Sequence, residues 1–263
     1  MNALKILQLA GTSDARQLGI ALKHYGYEVI TTVVTNNAEK ELQEAGLQVL
    51  VGRLTDMDIA TLVKEHGIHV VVDASHPYAE EASKNAIKGS ELARVPYIRF
   101  ERSPQVFQNK LITEVDSYER AAEIAADKQG TIMLTTGSKT LQIFTDKLLS
   151  LSNTRVIARM LPRKDNMEKC EQLGLPQKDI VAIQGPFSRE LNKALFQQYK
   201  VTLMITKESG QAGAVDEKIA AALELGIETI IIQRPKIQYG ITFSTIKDVI
   251  NHLKGVSNNG FQN

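Results

Sequence analysis

Four short segments place glycine, hydroxyl, imidazole or ammonium groups directly after runs of apolar residues. The first, Ala10-Gly11-Thr12-Ser13-Asp14-Ala15-Arg16, joins such a run to an amphipathic stretch. A strand, a glycine turn and a helix start present unpaired backbone N–H groups to a bound phosphate. Gly11 permits close backbone approach, Thr12 and Ser13 add hydroxyl donors, and Arg16 reaches forward from one turn into the helix. The same residues also suit an ordinary helix N-cap by Thr12 or Ser13, with Asp14 favourable against the helix dipole. The second segment is Asp73-Ala74-Ser75-His76-Pro77-Tyr78-Ala79, a polar cluster closing a wholly apolar strand. α/β proteins bind ligands at that end of a strand. His76 can donate a hydrogen bond or a proton there, while Pro77 is placed to open a helix. Its structural alternative is a cap by Ser75 or His76 and an internal partner for Asp73.

The third and fourth segments lie in the second half. Thr135-Thr136-Gly137-Ser138-Lys139 offers hydroxyls, a glycine and a Lys to an anion, without the longer glycine arch of a P-loop. Lys207-Glu208-Ser209-Gly210 ends another apolar run, where a Lys is less often a mere surface charge than on a helix face. Gly185-Pro186-Phe187-Ser188 reads as a turn with Ser188 as N-cap. The Gly-x-Gly-x-x-Gly fingerprint is incomplete, and the second strand ends in Val34-Thr35-Asn36-Asn37 without the acidic residue that holds an NAD ribose. That leans toward a 2′-phosphorylated cofactor, with Arg53 as the candidate cation, or toward a surface role for Arg53. No nucleophilic triad, carboxylate pair or metal-ligand spacing emerges; Cys170 is the sole cysteine, and no metal site is expected. These residue types favour binding and positioning over covalent catalysis.

Such loops need strands and helices to hold them. Strand candidates at 5–10, 28–32, 48–51, 69–74 and 97–100 alternate with helix candidates near 14–25, 38–45, 57–66 and 79–94. The second half repeats this, with strands at 131–135, 155–159, 180–183, 201–206 and 229–233. Its helices fall near 117–126, 141–148, 166–173, 189–198, 216–225 and 244–254. The alternation predicts an α/β protein of two Rossmann-like lobes, parallel sheets flanked by helices, with a ligand cleft between the lobes. The expected boundaries are a first lobe over 1–102, a linker over 103–112, a second lobe over 113–255 and a flexible tail over 256–263. At 263 residues and a formal charge of +1, nothing in bulk favours nucleic acid or a membrane surface. The lone cysteine and the lack of a long apolar run lead us to expect a cytoplasmic protein.

Taken in order, these segments resemble the precorrin-6A reductase family of cobalamin biosynthesis, from Leu4 to about Pro235. The carriers are the Gly11–Arg16 and Asp73–Ala79 segments, Val95-Pro96-Tyr97-Ile98-Arg99-Phe100-Glu101-Arg102, and Thr136-Gly137-Ser138-Lys139. Arg159-Met160-Leu161-Pro162, Gly185-Pro186-Phe187-Ser188 and Thr206-Lys207-Glu208-Ser209-Gly210 complete the set. Ala10 departs from the pattern where relatives usually carry glycine, as do Ala212 and Ala214. The resemblance implies hydride transfer from NADPH or NADH to a ring C=C bond of precorrin-6A or its cobalt form, giving the 6B form. Cobalt would then enter only as part of the substrate. It further implies that Gly11, Thr12, Ser13, Arg16, Arg53, Ser138 and Lys139 hold the cofactor. Ser75, Arg99, Arg102, Ser209 and Gly210 would meet the carboxylate-rich tetrapyrrole. His76 or Tyr78 would supply the proton, with Lys207 or solvent as competitors. The residues alone also admit a non-catalytic dinucleotide-sensing module or a two-lobed group-transfer enzyme with a nucleotide donor. They leave the oligomeric state open.

Overall fold

The computed structural model describes residues 3–208 and 216–259. In chain order the first elements are β1 (Lys5–Leu9), α1 (Ser13–His24), β2 (Glu28–Val33), α2 (Asn36–Glu44), β3 (Gln48–Val51), α3 (Asp56–His66), β4 (Val70–Asp73), α4 (Glu80–Ala93) and β5 (Tyr97–Phe100). There follow β6 (Ile112–Val115), α5 (Tyr118–Lys128), β7 (Gly130–Leu134), α6 (Leu141–Leu148), β8 (Thr154–Met160), α7 (Lys164–Gln172), β9 (Ile180–Ala182), α8 (Arg189–Gln198), β10 (Leu203–Lys207), α9 (Glu217–Glu224) and β11 (Glu228–Ile232). The last are β12 (Thr242–Phe243) and α10 (Ile246–Asn259). The chain divides into two compact units, Met1–Ser103 with Pro235–Asn263, and Pro104–Arg234.

In the first unit six parallel strands lie in the order β12-β5-β4-β1-β2-β3. The central strands are apolar on both faces because helices cover both; Val70, Val71 and Val72 of β4 have no exposed surface. Helix α1 turns Ala15, Leu18, Gly19 and Leu22 inward at helical spacing. It starts where the Thr12 side chain accepts from the Ala15 N–H at 3.1 Å. Helix α3 starts on a capping box between Thr55 and Asp58. From β1 the chain runs to β2 and β3, then crosses back to β4 on the other side of β1. The sheet therefore has its topological switch point between β1 and β4.

The second unit is built alike, with six parallel strands in the order β6-β11-β10-β7-β8-β9. One face packs Met133, Ile157, Met204 and Ile231 against Phe196 of α8 and Ile219 of α9. Here the chain leaves β7 for β8 and β9 and returns to β10, so the switch point lies between β7 and β10.

All ten strands and ten helices expected from the pattern are present, each shifted by at most a few residues. Two edge strands were not foreseen. β6 exposes Thr113 and Glu114, and β12 has only two residues, so neither carries an apolar run. The structure also corrects the placement of the C-terminal segment, which was expected in the second lobe. β12 pairs with β5, and Val249, Ile250 and Leu253 of α10 fill the core against Leu18, Ile98 and Phe100, returning the segment to the first unit. Helix α10 runs on to Asn259, through residues expected to be a loose tail.

Candidate functional site

The two switch points gather the four segments in pairs. In the first unit Leu9 and Asp73 are ladder partners, and the Ala74 N–H donates to the Leu9 carbonyl at 2.9 Å. The loops after β1 and β4 therefore leave the sheet side by side, bringing Gly11, Thr12 and Ser13 next to Ser75 and His76. Gly11 has φ +132°, and a Cβ there would meet nothing within 4 Å. Only glycine holds that backbone without strain, and the space above it is open for a ligand's approach. Thr12 is the N-cap of α1, which is the structural alternative the sequence offered for this loop.

The cations around this loop are already engaged. Arg16 pairs with Glu41 of α2 at 3.3 Å across the surface. Arg102 makes a two-pronged ion pair with Asp14 in the first turn of α1. Arg53 is exposed after β3, and β2 separates it from β1, so it stands roughly 10 Å along the sheet from the Gly11 loop. It makes no ion pair among the described residues. His76 is exposed; its Nδ1 accepts from the Tyr78 N–H at 3.2 Å, and the two rings lie 5.7 Å apart. In the neutral imidazole that hydrogen bond leaves the proton on Nε2.

Beneath the loop lies a buried polar network. The Asp73 carboxylate, wholly buried, accepts from the Ser75 N–H at 3.0 Å, Ser83 Oγ at 2.7 Å and the Tyr97 hydroxyl at 2.8 Å. It also pairs with Arg99 Nη1 at 2.9 Å. Arg99 donates onward to Glu101 at 2.8 Å and to Ser75 Oγ at 3.3 Å, and stacks on the Tyr239 ring at 4.8 Å. Its guanidinium was expected to meet a substrate carboxylate. A side chain with no exposed surface, already holding two carboxylates, offers no face to a third, so its place is under the Ser75 loop. Burial, then the neighbouring Asp73 charge, pushes the Tyr97 hydroxyl far above its usual range and keeps it a donor.

In the second unit Thr135 donates from its N–H and its hydroxyl to the Ile205 carbonyl at 2.9 and 3.1 Å, joining the β7 loop to β10. Gly137 has φ +81° and open space at its Cβ position, which matches Gly11 in the other unit. Ser138 donates to Asn166 Oδ1 at 2.5 Å, while Lys139 is exposed. The half-buried Lys207 ammonium sits 5.5 Å from the centre of the Tyr118 ring. Its pKa is lowered first by burial and then by the like charges of Lys139 and Lys218. Glu208 turns inward, ion-paired with Arg234 and accepting from the Gln105 N–H at 3.1 Å. Ser209 and Gly210 lie outside the described residues.

Arg159, at the end of β8, was not among the candidate site residues. The residue is 7% exposed, and its guanidinium lies over the Phe187 ring at 4.6 Å and donates to Asn192 Oδ1 at 2.7 Å. In the sequence Arg159 closes an apolar strand and opens the Arg159-Met160-Leu161-Pro162 segment of the family resemblance, neither of which assigned it a ligand. Among the described residues no group of three or more His, Cys, Asp or Glu is placed to hold a metal ion. Nor is any helix of the described residues long and apolar enough to cross a membrane.

Residues 5–254 match the family model described as Precorrin-6x reductase CbiJ/CobK. The chain belongs to this family. Its relatives include a cobalt-precorrin-6A reductase from Priestia megaterium, 59% identical over 94% of this chain and 97% of that one. A cobalt-precorrin-6A reductase from Salmonella typhimurium is 35% identical over 89% of each chain. A precorrin-6A reductase from Rhodococcus erythropolis is 28% identical over 89% of this chain and 90% of the other. The solved structure of a CobK precorrin-6A reductase superposes with a TM-score of 0.78 at 23% identity, covering 98% of both chains; this likeness concerns the fold.

Proposed function

We propose that this chain is the reductase that converts cobalt-precorrin-6A to its 6B form using a nicotinamide dinucleotide. The observation that carries this reading is the 59% identity, along nearly the full length of both chains, to a relative named for that activity. The cobalt form is preferred because the relatives at 33–59% identity are named for it, whereas those at 27–28% are named for precorrin-6A. Cobalt belongs to the substrate in this reading.

The first unit fits a dinucleotide. The backbone at Gly11, open where a Cβ would stand, suits close approach of a pyrophosphate, with the N-terminus of α1 supplying N–H donors and Thr12, Ser13 and Arg16 adding side-chain donors. When bound, the nicotinamide supplies the hydride. The protein's task is then to orient two large partners, exclude water and deliver one proton to the reduced ring. Ser138 and Lys139 take a second anionic group of the cofactor, and Arg53 serves a 2′-phosphate where NADPH is used. Ser75, Arg102, Ser209 and Gly210 meet the macrocycle. Arg99 acts by fixing the Ser75 loop rather than by touching substrate. His76 Nε2–H, the Tyr78 hydroxyl and the Lys207 ammonium are the proton donors within this scheme.

The test is anaerobic incubation of the purified protein with cobalt-precorrin-6A, and separately the metal-free macrocycle, with each reduced nicotinamide. Coupled loss of nicotinamide absorbance and a shift of the corrin spectrum, faster with the cobalt form, is expected. Nicotinamide binding without oxidation would favour a sensing module and overturn the reductase reading.

A further inference from the structure

The Arg159 guanidinium is buried, with no counter-ion among the described residues. Among the described residues no carboxylate lies within ion-pair distance, and its side chain makes one hydrogen bond, to the neutral Asn192. The remaining donors of the guanidinium fork meet no acceptor among the described residues. Buried charges are normally paired, so an unpaired one calls for an explanation. Burial pushes its pKa down to about 10, which Asp216 only partly offsets, and the group stays charged at neutral pH. The Asp216 carboxylate itself pairs with Lys218 at 3.0 Å.

The surroundings hold this charge in place. The Phe187 ring lies against the guanidinium, and Asn192, itself fully buried, donates its amide to the Ser188 carbonyl at 2.7 Å while accepting from Arg159. Thus the Gly185–Ser188 turn and the first turn of α8 fix the arginine's direction. Ladder pairs Leu134–Ala158 and Leu134–Ile205 put Arg159, Thr135 and Thr206 in one row on one face of the sheet. Two residues earlier that face is apolar, with Ile157, Met133 and Met204. In the row itself the Thr206 hydroxyl is buried and without a partner. The face changes from core to unsatisfied polar groups where the strands end, beside the switch point.

We propose that Arg159 is an oxyanion receptor, its charge unpaired among the described residues so that a phosphate or carboxylate of a bound ligand completes it. This rests on the reductase reading for the ligands' identity, a cofactor phosphate or a macrocycle carboxylate, and not for the receptor itself. Two variants of the full chain test it. Asn192→Asp puts a carboxylate in hydrogen-bond reach of Arg159, and Arg159→Lys keeps the charge but removes the fork. Each is assayed for nicotinamide binding by fluorescence, pyrophosphate binding by calorimetry, KM for cobalt-precorrin-6A and Tm.

The expected result is a folded Asn192→Asp protein, in which a new ion pair with Arg159 is set against the lost hydrogen bond to the Ser188 carbonyl, and a ligand weakened by about tenfold or more in both variants. Weakened pyrophosphate and nicotinamide binding names a phosphate; an increase confined to the KM for the macrocycle names a carboxylate. Parental affinities for all three ligands in either folded variant overturn the proposal, and should Asn192→Asp not fold, Arg159→Lys decides. If the parent protein binds pyrophosphate but reduces neither macrocycle, the reductase reading falls while the pyrophosphate contrast still judges the receptor.

Discussion

At the scale of single residues, the Asp73 carboxylate organises the loop that carries Ser75 and His76. Three donors and an arginine converge on it, so each protein partner removed leaves a buried charge short of a bond. Replacing Tyr97 with Phe should cost about 1.5–3 kcal/mol, read from urea denaturation at neutral pH. The same residue sets an alkaline dependence. Its folded-state pKa is raised, so the folded protein holds the phenolic proton more tightly than the unfolded chain does. That stabilisation is complete below about pH 10 and is lost as pH rises above it. The parent's urea midpoint should therefore fall above about pH 10 by more than that of Tyr97→Phe. A parallel decline in both proteins would remove Tyr97 from the account.

At the scale of elements, the first unit's sheet is covered on one face by α3 and α4, which meet at Gly89. A Cβ on that residue would lie 2.7 Å from Ile59 Cβ and 2.8 Å from the Asp56 carbonyl oxygen, distances that real Cβ atoms do not show. The usual helix-stabilising exchange of glycine for alanine should reverse sign here. Gly89→Ala is expected to lose about 1–3 kcal/mol, measured by chemical denaturation, because two helices must move apart. The sequence marked both helices through their apolar spacing and Gly67, yet gave no sign that Gly89 lies in the seam. Likewise the strands flanking each switch point were legible from their β-branched runs, while β6 and β12 were not. An edge strand needs only one covered face, and a pair of residues has no period.

At the scale of the whole molecule, stability and ligand binding are set against one another in the second unit. Lys207 is half-buried, and burial followed by the like charges of Lys139 and Lys218 lowers its pKa, which is the surrounding an anionic ligand would suit. Because its pKa is lowered on folding, the protein should gain stability as pH rises toward the ordinary lysine range. Lys207→Met should raise Tm at neutral pH by roughly 2–4 °C, discounted for the ammonium's partial exposure, while abolishing or sharply reducing turnover. Calorimetry beside the coupled assay checks both halves, and a lower Tm would contradict this account. Taken alone, the sequence determined the α/β class, the alternation of elements and the four strand-end loops, because apolar period and turn chemistry are local. It also determined the family resemblance, through the order of those loops. Only the tertiary structure decided that the loops meet in pairs at two switch points and that Pro235 onward completes the first sheet. Strand order is set by long-range pairing that no local pattern records. It likewise turned Arg99 inward to two carboxylates and, among the described residues, put none within ion-pair reach of Arg159. A side chain's counter-ion depends on which distant residues folding brings beside it.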